Sequence, residues 1–506
     1  MWSSETKVNI LKYRLTFSMT EKGRLLLVGY NRQECFKVFE ELLKLDPTNS
    51  FYHWAIAYSH CADYNMNGPI YDLLKQTKDW PSYESAYYHC EKALEYMSDR
   101  NDEWKTIYKA TKVRLEEGLK KYADYLDSNL IDSDDCDVLC VKAESRMLLQ
   151  PWKLWDRKTM KKTENADYVE MILNKGLQLN PTHEWLCHLK IHYCEMGPPE
   201  QFDMTVLEPL TRSKNGHLRH MPSHIYIQVG NYSKSMELNK EAVELDSLAR
   251  QDKLSQLDLY AFYECHNMHF VVFSACMCGN SKEAIVYAKH LTCFVKERIS
   301  EGSDISYQMC EAFLMIEPMV YVRFGYWETI LDEEDLNHPT RELFYVYAKC
   351  VACSAMNDTD RAKEYLEKFK TLLEKVPETR VLHNETLKNI GNIALNILMA
   401  EYEYRMGMSS YTSYLNEALF LESELVYDEP PPWMIPVRQT YGALLLEQND
   451  AMFASTMFIK DLDLWPKNIW STRGLYETQK IILNEIETLT DKKITAACAC
   501  ATSHWS

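Results

Sequence analysis

The chain has 506 residues, of which 46% are hydrophobic and 26% charged, and these are the proportions of a folded protein rather than a disordered one. Its formal net charge of −18 opposes binding to a phosphate backbone, and no basic cluster with interleaved aromatic residues reverses this, so we expect no nucleic-acid partner. The low content of Gly (15 residues) and Pro (17 residues) favours helices joined by short loops over a large sheet.

The ends of the chain and its cysteines bear on its compartment. The N-terminal segment MWSSETKVNILKYRLTF lacks the apolar core and the small-residue cleavage site of a signal peptide. No uncharged apolar run approaches the roughly 18 residues that a membrane helix needs. The sixteen cysteines lie scattered within helical patterns rather than in a disulfide framework. We therefore expect a cytoplasmic protein without membrane insertion, whose residues 491–506, including the CxC pair Cys498 and Cys500, form a disordered tail.

Helix-pair repeats follow one another along the chain. Helix ends are predicted at Asp46-Pro47, Asn180-Pro181, Gly230, Gly279 and Gly325. After Gly230, the small residues Ser235 and Ala242 stand seven apart, where a bulky side chain would push neighbouring helices away from each other. This pattern is the tetratricopeptide pattern. It predicts an all-α fold over residues 1–490, a right-handed superhelix of antiparallel helix pairs (an α-solenoid), with long loops at 128–135 and 332–340.

Eight of the fifteen histidines fall between His183 and His269. They form stripes at helical spacing on three first helices of successive pairs. The stripes are His188, His192 and Glu195; His220 and His224, with His217 in the loop before them; and His266 and His269. Because first helices line the concave side of such an array about 10 Å apart, we expect the three stripes to face one groove.

Imidazole nitrogens beside a carboxylate are suitable ligands for a transition metal. The predicted ligands are His188, His192, His220, His224, His266 and His269, and the predicted cofactor is a Zn, Fe or Cu ion. Glu195 and Tyr263 are candidate catalytic residues in the same groove, and Tyr263 and Asn267 can also hold imidazole tautomers. The alternative is a network of neutral, hydrogen-bonded histidines that only holds the helices together.

Several blocks of the sequence share a family likeness. The most specific reads HMPSHIY at 220–226 and closes at Gly230; others are HWAIAY at 53–58, PWKLWD at 151–156, CHNMHF at 265–270 and YDEPPPWMIPVRQTYGALL at 427–445. In these blocks, which keep their order from about residue 35 to 475, the chain resembles a family of tetratricopeptide-repeat proteins widespread in bacteria and present in eukaryotes. It departs from the family pattern at Cys61-Ala62-Asp63, where a Gly-Pro-Asn turn is usual, and at Gln228, where Arg is common. The resemblance implies a tetratricopeptide superhelix with a shared ligand site.

The proline-rich block near the C-terminus is a second candidate part of the groove. Three consecutive prolines precede Trp433, and Arg438 follows at the start of a helix. Arg438 is a candidate catalytic residue that would clamp a carboxylate or a phosphate. The residues assigned to the substrate pocket are Asn65, His217, Asn267, Glu429 and Trp433. The alternative is a structural elbow, in which Trp433 packs into the core and Arg438 pairs with a glutamate.

Two functional hypotheses follow. The first is a metal-dependent enzyme, oxidative or hydrolytic, that acts on a small organic substrate in a His-rich concave pocket. The alternative is a non-catalytic tetratricopeptide scaffold that binds a peptide or a protein partner. The sequence contains no GxxxxGK[ST], HExxH, GxSxG or dinucleotide-binding glycine motif, which disfavours the common hydrolases and dehydrogenases. It makes no prediction of the oligomeric state.

Overall fold

The computed structural model describes residues 4–66, 82–97, 101–251, 258–301, 307 and 310–489 of the chain. These residues divide into two compact units, which we call unit 1 (1–225, 237–267 and 302–306) and unit 2 (226–236, 268–301 and 307–506). The prediction of a single array over 1–490 stays a prediction, and the predicted tail at 491–506 lies outside the described residues.

The first half of the described chain is helical apart from one short hairpin. Its helices are α1 (Ser4–Val28), α2 (Arg32–Leu43), α3 (Ser50–His60), α4 (Tyr83–Glu95), α5 (Asp102–Glu117), α6 (Leu119–Asn129), α7 (Cys136–Met147), α8 (Ala166–Leu179), α9 (Glu184–Cys194), α10 (Leu207–Leu210), α11 (Gly216–His220), α12 (Pro222–Gln228) and α13 (Tyr232–Gln251). Strands β1 (Trp155–Asp156) and β2 (Lys161–Lys162) pair antiparallel between α7 and α8. Single 3₁₀ turns at Pro199–Gln201 and Met204–Val206 lead into α10.

The second half continues the same pattern. Its helices are α14 (Asp258–Met277), α15 (Ser281–Glu301), α16 (Ile316–Phe324), α17 (Trp327–Asp332), α18 (Pro339–Ala355), α19 (Thr359–Glu374), α20 (Leu387–Arg405), α21 (Tyr411–Glu424), α22 (Val437–Glu447), α23 (Ala451–Leu464) and α24 (Ile469–Leu489). A 3₁₀ helix at Glu311–Met315 precedes α16, and strands β3 (Val381–Leu382) and β4 (Glu385–Thr386) form a hairpin before α20. The helices α12, α13 and α14 contribute residues to both units.

The ends of the helices follow the local chemistry that the sequence predicts. Gly230, Gly279 and Gly325 have φ angles of 74°, 75° and 70°, the left-handed conformation that ends a helix and that glycine adopts without steric cost. At the other end, Asn49 accepts hydrogen bonds from the backbone N–H groups of Phe51 and Tyr52 at 3.2 and 3.3 Å and begins α3. The predicted helix ends at these three glycines are confirmed.

Consecutive helices pack against each other within each unit. In unit 2, α18 and α19 are joined by three residues, as are α22 and α23, so each pair runs antiparallel with its apolar faces together. In unit 1, the Trp54 ring of α3 is fully buried, meets Trp104 edge-on at 5.2 Å, and donates its N–H to Thr111 at 2.9 Å. The predicted all-α fold of antiparallel helix pairs is confirmed.

No helix in the part of the chain that the structure describes is long and apolar enough to cross a membrane.

Two glycines in unit 2 let three consecutive helices close around one ring. A Cβ atom on Gly442 of α22 would lie 2.6 Å from the Phe458 ring of α23, and a Cβ on Gly474 of α24 would also collide with that ring. We expect Gly442→Ala to lower the free energy of unfolding by about 1–3 kcal/mol through overpacking. In a Phe458→Leu background the same change should instead stabilise α22 by up to about 1 kcal/mol, because alanine favours helix over glycine. Chemical denaturation followed by circular dichroism gives the free energies of unfolding of the natural protein, of each single variant and of the double variant. Additive effects of the two changes would contradict the prediction.

A buried carboxyl makes the stability of unit 1 depend on pH. Asp246 of α13 is 1% exposed and accepts hydrogen bonds from the Tyr260 hydroxyl at 2.9 Å and from Asn267 Nδ2 at 2.8 Å. Burial raises the pKa of Asp246 to about 7, although both hydrogen bonds oppose the shift. The folded state therefore holds this proton more tightly than the unfolded state, whose carboxyl has a pKa of about 3.9.

The contribution of Asp246 is present at low pH and is lost as the pH rises through about 7. We expect the natural protein to lose stability relative to Asp246→Asn as the pH rises. The difference between their free energies of unfolding should fall by about 3–5 kcal/mol between about pH 4 and about pH 8. Urea denaturation across that range measures the difference. Asp360→Asn, which changes an exposed carboxyl, should leave the pH dependence unaltered. An unchanged slope in Asp246→Asn would contradict the prediction.

Candidate functional site

Two histidines one turn apart on α9 begin the site. His188 and His192 are 0% and 2% exposed, and their Nε2 atoms lie 3.0 Å from each other. Their spacing of four residues places both rings on one face of the helix. That face is buried in unit 1, although imidazole rings at a helix surface are more often solvated.

A third histidine reaches the pair from α11. His217 is 1% exposed, and its Nε2 atom lies 3.2 Å from Nε2 of His188. The side chain of Asn215 accepts a hydrogen bond from the backbone N–H of Leu218 at 3.0 Å and begins this short helix. His217 therefore lies within a helix, whereas the sequence suggested the loop before one. We call His188, His192 and His217 the histidine trio; they offer three nitrogens that all lie within 4.8 Å of one another.

The Nδ1 atoms of two trio members face acceptors. His188 Nδ1 lies 2.8 Å from the carbonyl oxygen of Val28, at the end of α1. His192 Nδ1 lies 3.0 Å from Oε1 of Glu195, which ends α9 and is 2% exposed. The second carboxylate oxygen of Glu195 lies 3.7 Å from Nδ1 of His224. Glu195 thus holds two imidazoles, a positioning role common around metal ligands.

The loop after α1 closes over the trio. Tyr30 has a φ angle of 58°, a costly conformation for a residue with a side chain, and its ring centroid lies 4.7 Å from that of His188 and 5.6 Å from that of His217. A Cβ atom on the preceding Gly29 would lie 2.5 Å from Oδ1 of Asn215, so a larger residue would push this loop off α11. Tyr64 covers His192 with a centroid distance of 4.8 Å.

A second histidine group lies on α11, α12 and α14. His220, His224 and His266 have ligand nitrogens within 4.8 Å of one another, and Nε2 of His220 is 2.9 Å from Nε2 of His224. His220 Nδ1 lies 2.7 Å from Oδ1 of Asn239, whose amide donates to Ser223 Oγ at 2.7 Å. Unit 1 therefore brings five of the predicted metal ligands into two adjacent groups.

Burial keeps these imidazoles neutral. It lowers the pKa of His188 to about 3 and that of His220 to about 4, and it holds the pKa values of His192 and His217 well below the usual range. Neighbouring histidines lower the pKa of His192 and His217 further. Neutral rings keep the lone pairs with which imidazole binds a metal or accepts a hydrogen bond.

A small cavity lies on the outer side of Tyr30. Its volume is about 20 Å³, and Arg32, Asp63 and Tyr263 are among the residues that line it. Arg32 is 4% exposed and donates from Nε to Asp63 Oδ2 at 3.2 Å, while burial raises the pKa of Asp63 to about 6 against the opposing charge of Arg32. The cavity has room for one water molecule but not for an organic substrate.

The remaining predicted residues of unit 1 are polar neighbours of these groups. The Tyr263 ring packs on His217 with a centroid distance of 4.7 Å. Asn267 donates to Asp246, as described for the fold. Asn65 donates its backbone N–H to Asp63 Oδ1 at 3.0 Å, in the segment where the chain departs from the Gly-Pro-Asn pattern.

The other predicted residues belong to unit 2. His269 Nδ1 lies 3.4 Å from Nε2 of His383 in the β3–β4 hairpin, with the two rings stacked. Trp433 is 1% exposed and meets the Tyr347 ring edge-on at 5.7 Å.

Two ionisable residues of the proline-rich block also have partners within unit 2. Arg438 Nη1 lies 3.6 Å from Glu422 Oε2, which is the packing that the elbow alternative describes. Glu429 Oε1 accepts a hydrogen bond from Gln228 Nε2 at 2.6 Å.

Unit 2 also contains a groove that the sequence did not predict. It has a volume of about 360 Å³ and is lined mainly by residues of α16, α18, α20, α22 and α24, with Trp327 of α17 and Phe458 of α23. We call it the unit 2 groove. Small residues that could indicate such a groove do occur on these helices, at Ala443 and Gly474. They belong to no recognised motif, so the sequence alone did not predict the groove. Val28 and Tyr30 of the histidine site were missed because neither belongs to any motif.

Comparisons with known proteins add little beyond the fold class. No protein-family model and no curated protein matches the chain. Among solved structures, the chain is similar to the APC/C hetero-tetramer Cut9–Hcn1, with 13% identity, coverage of 94% of this chain and 99% of that one, and a TM-score of 0.25. It is also similar to yeast Tom70, with 13% identity, coverage of 94% and 97%, and a TM-score of 0.23. Because these TM-scores are low, the assignment as a tetratricopeptide-like helical-repeat protein rests on the chain's own helix pairs.

Proposed function

We propose that this chain is a scaffold that binds an amphipathic helical segment of a partner protein in the unit 2 groove. The observation that carries the proposal is that seven of the nine helices from α16 to α24 line one groove of about 360 Å³. Helical-repeat arrays present their binding surfaces in this way, and a helix laid in a groove is a common mode of peptide recognition. A cytoplasmic location, expected from the scattered cysteines, is part of the same proposal.

The lining of the groove indicates what would bind. Val351, Ile397 and Ala443 are among its apolar lining residues, and Ala443 is exposed, so an apolar side chain of a partner finds contact there. Glu401 and Glu447 add two carboxylates that share one cation, Arg405, at 4.0 and 2.9 Å. A segment with aliphatic residues on one face and a lysine or arginine near these carboxylates is therefore the best match.

One wall of the groove is preorganised by an aromatic stack. The guanidinium carbon of Arg323 lies 3.9 Å from the centroid of the Trp470 ring, and Arg323 donates a hydrogen bond to Gln439. Burial lowers the pKa of Arg323 to about 9. Because these side chains are already held, a ligand that meets them loses less conformational entropy.

Selection of peptides from a displayed random library on the purified full-length protein tests the scaffold proposal. We expect enriched peptides with aliphatic residues at i, i+3 or i+4 and a basic residue. Ala443→Trp should weaken their binding by about 10-fold or more, because it fills the groove and removes hot-spot contacts. Met452→Trp, at a site 74% exposed on α23 and not in the groove, is the matched control and should bind normally. Peptides that bind Ala443→Trp as tightly as the natural protein would contradict the proposal.

The second candidate is a metal-dependent enzyme that uses the histidine groups on a small organic substrate. The specific observation in its favour is the strained Tyr30 beside a buried trio, since backbone strain of this kind clusters at functional sites. Glu195 and Tyr263 are among the groups beside the trio that can move a proton. The weakness of this candidate is that the cavity beside Tyr30, of about 20 Å³, has room for one water molecule and not for an organic substrate. For that reason the scaffold ranks first.

Access of an organic ligand distinguishes the two candidates. The protein would be loaded with Co²⁺, whose visible absorption reports the ligands of the ion, and then titrated with acetohydroxamate, a bidentate organic chelator. We expect no spectral change on the timescale of mixing, because the trio is closed by Tyr30, Tyr64 and Tyr263. A rapid and saturable change would show that organic molecules reach the ion, and it would place the enzyme above the scaffold.

A further inference from the structure

We propose that His188, His192 and His217 bind one divalent transition-metal ion through their Nε2 atoms. The inference supplies the ion that the enzyme candidate requires, but it stands without any catalysis and is independent of the unit 2 groove. It rests on where the protons of His188 and His192 must be, and on the distances from His188 to the other two nitrogens.

The proton positions follow from the partners of Nδ1. A backbone carbonyl has no proton to give, so the contact of 2.8 Å with Val28 requires the proton of His188 on Nδ1. The carboxylate of Glu195 likewise accepts a hydrogen bond from the Nδ1–H of His192, with the two heavy atoms 3.0 Å apart. Both Nε2 atoms are then bare, and their lone pairs face each other at 3.0 Å. Two buried lone pairs at this distance repel each other unless a cation lies between them.

The distances suit a bound ion. With metal–nitrogen bonds of about 2.05 Å, two imidazole nitrogens lie about 2.9 Å apart in octahedral and about 3.3 Å apart in tetrahedral coordination. The Nε2 distances from His188 to His192 and His217 are 3.0 and 3.2 Å, between these values. An i, i+4 pair on one helix and a third histidine from another helix thus give two nitrogen separations that suit one ion, and all three nitrogens lie within 4.8 Å of one another.

The surroundings restrict which ion fits. Three neutral imidazoles without a thiolate favour Zn²⁺, Co²⁺, Ni²⁺ or Cu²⁺ and disfavour Ca²⁺ and Mg²⁺, which prefer oxygen ligands. Tyr30, Tyr64 and Tyr263 pack their rings on the trio and separate it from bulk water. These packed rings hold the three imidazoles in fixed orientations. The bound ion would link the end of α1 to α9 and α11.

The second histidine group does not support the same argument. His220 Nδ1 also faces an oxygen, but it belongs to the side-chain amide of Asn239. An amide can turn over and present its NH₂ group, which would leave His220 free to donate from Nε2 to His224 as an ordinary neutral hydrogen bond. The carbonyl of Val28 is main chain and has no such freedom. We therefore assign the ion to the trio.

Metal analysis of the full-length protein, purified without a histidine tag, tests the inference. Protein exposed to Zn²⁺ or Co²⁺ and passed through gel filtration should retain one equivalent at the trio, measured by inductively coupled plasma mass spectrometry. His192→Gln and His217→Gln should each weaken this binding by at least about 100-fold, and Glu195→Gln by about 10-fold, since outer partners of metal ligands carry part of the affinity. The melting temperature of the natural protein should rise with Zn²⁺.

The matched control is His89→Gln. His89 and His53 form a separate pair in unit 1, with Nδ1 atoms 2.8 Å apart, so this change removes a histidine contact without touching the trio. It should keep the full metal content.

Two outcomes would overturn the inference. One is natural protein that retains no stoichiometric ion after metal loading, which would leave only a network of neutral histidines. The other is an ion whose affinity is unchanged in both trio variants. Should these variants fail to fold, the Co²⁺ absorption of the natural protein decides, because a spectrum identical to that of aqueous Co²⁺ contradicts imidazole ligation.

Discussion

Among the described residues, most helices bury an apolar stripe against the helices next to them in the chain, and both units depend on that contact. An isolated helix of 11 to 21 residues, the length of most helices here, gains little stability from its own hydrogen bonds. The stack supplies the rest, provided that neighbouring backbones can approach closely. Gly442 and Gly474 around the Phe458 ring show how narrow this tolerance is in unit 2.

The close stacking also brings polar groups into the interior, where they must be paired. In unit 1 the guanidinium of Arg32 lies with Asp63 and Glu144, and Tyr58 donates to the same Glu144. The histidine trio is a further part of this buried polar region. The unit 2 groove differs in kind, because the small and exposed Ala443 leaves its surface open. The buried histidine trio therefore suits a small ligand that stays bound. The unit 2 groove suits a larger partner that binds and dissociates.

The sequence predicted the features that depend on residues close together in the chain. It did not predict the features that depend on contacts between distant residues. Local chemistry was sufficient for the helices and for their ends at Gly230 and Gly325, because φ preference acts within one turn. The spacing of His188 and His192 also predicted correctly that they share a face. It did not reveal that Val28, 160 residues earlier, would hold one of them, since no local pattern specifies which loop packs on a helix face.

His269 and His217 also show that a single sequence does not predict contacts between distant segments. His269 stands three residues from His266 and was grouped with it by periodicity, yet its ring stacks on His383 of a hairpin more than a hundred residues away. The sequence predicts a loop at His217, whereas the Asn215 cap begins a short helix that contains it. Prediction of both positions needs the packing of distant segments, which a single sequence does not contain.

The contact between His188 and the main chain at Val28 has an evolutionary consequence. A side-chain partner could be lost through a single codon change, but every amino acid supplies the same carbonyl oxygen at position 28. Substitutions at position 28 would therefore leave the proton of His188 on Nδ1. Selection would act instead on its neighbour Gly29, where the lack of a side chain lets the loop reach Asn215. The residue that safeguards the histidine would thus be one with no functional group at all.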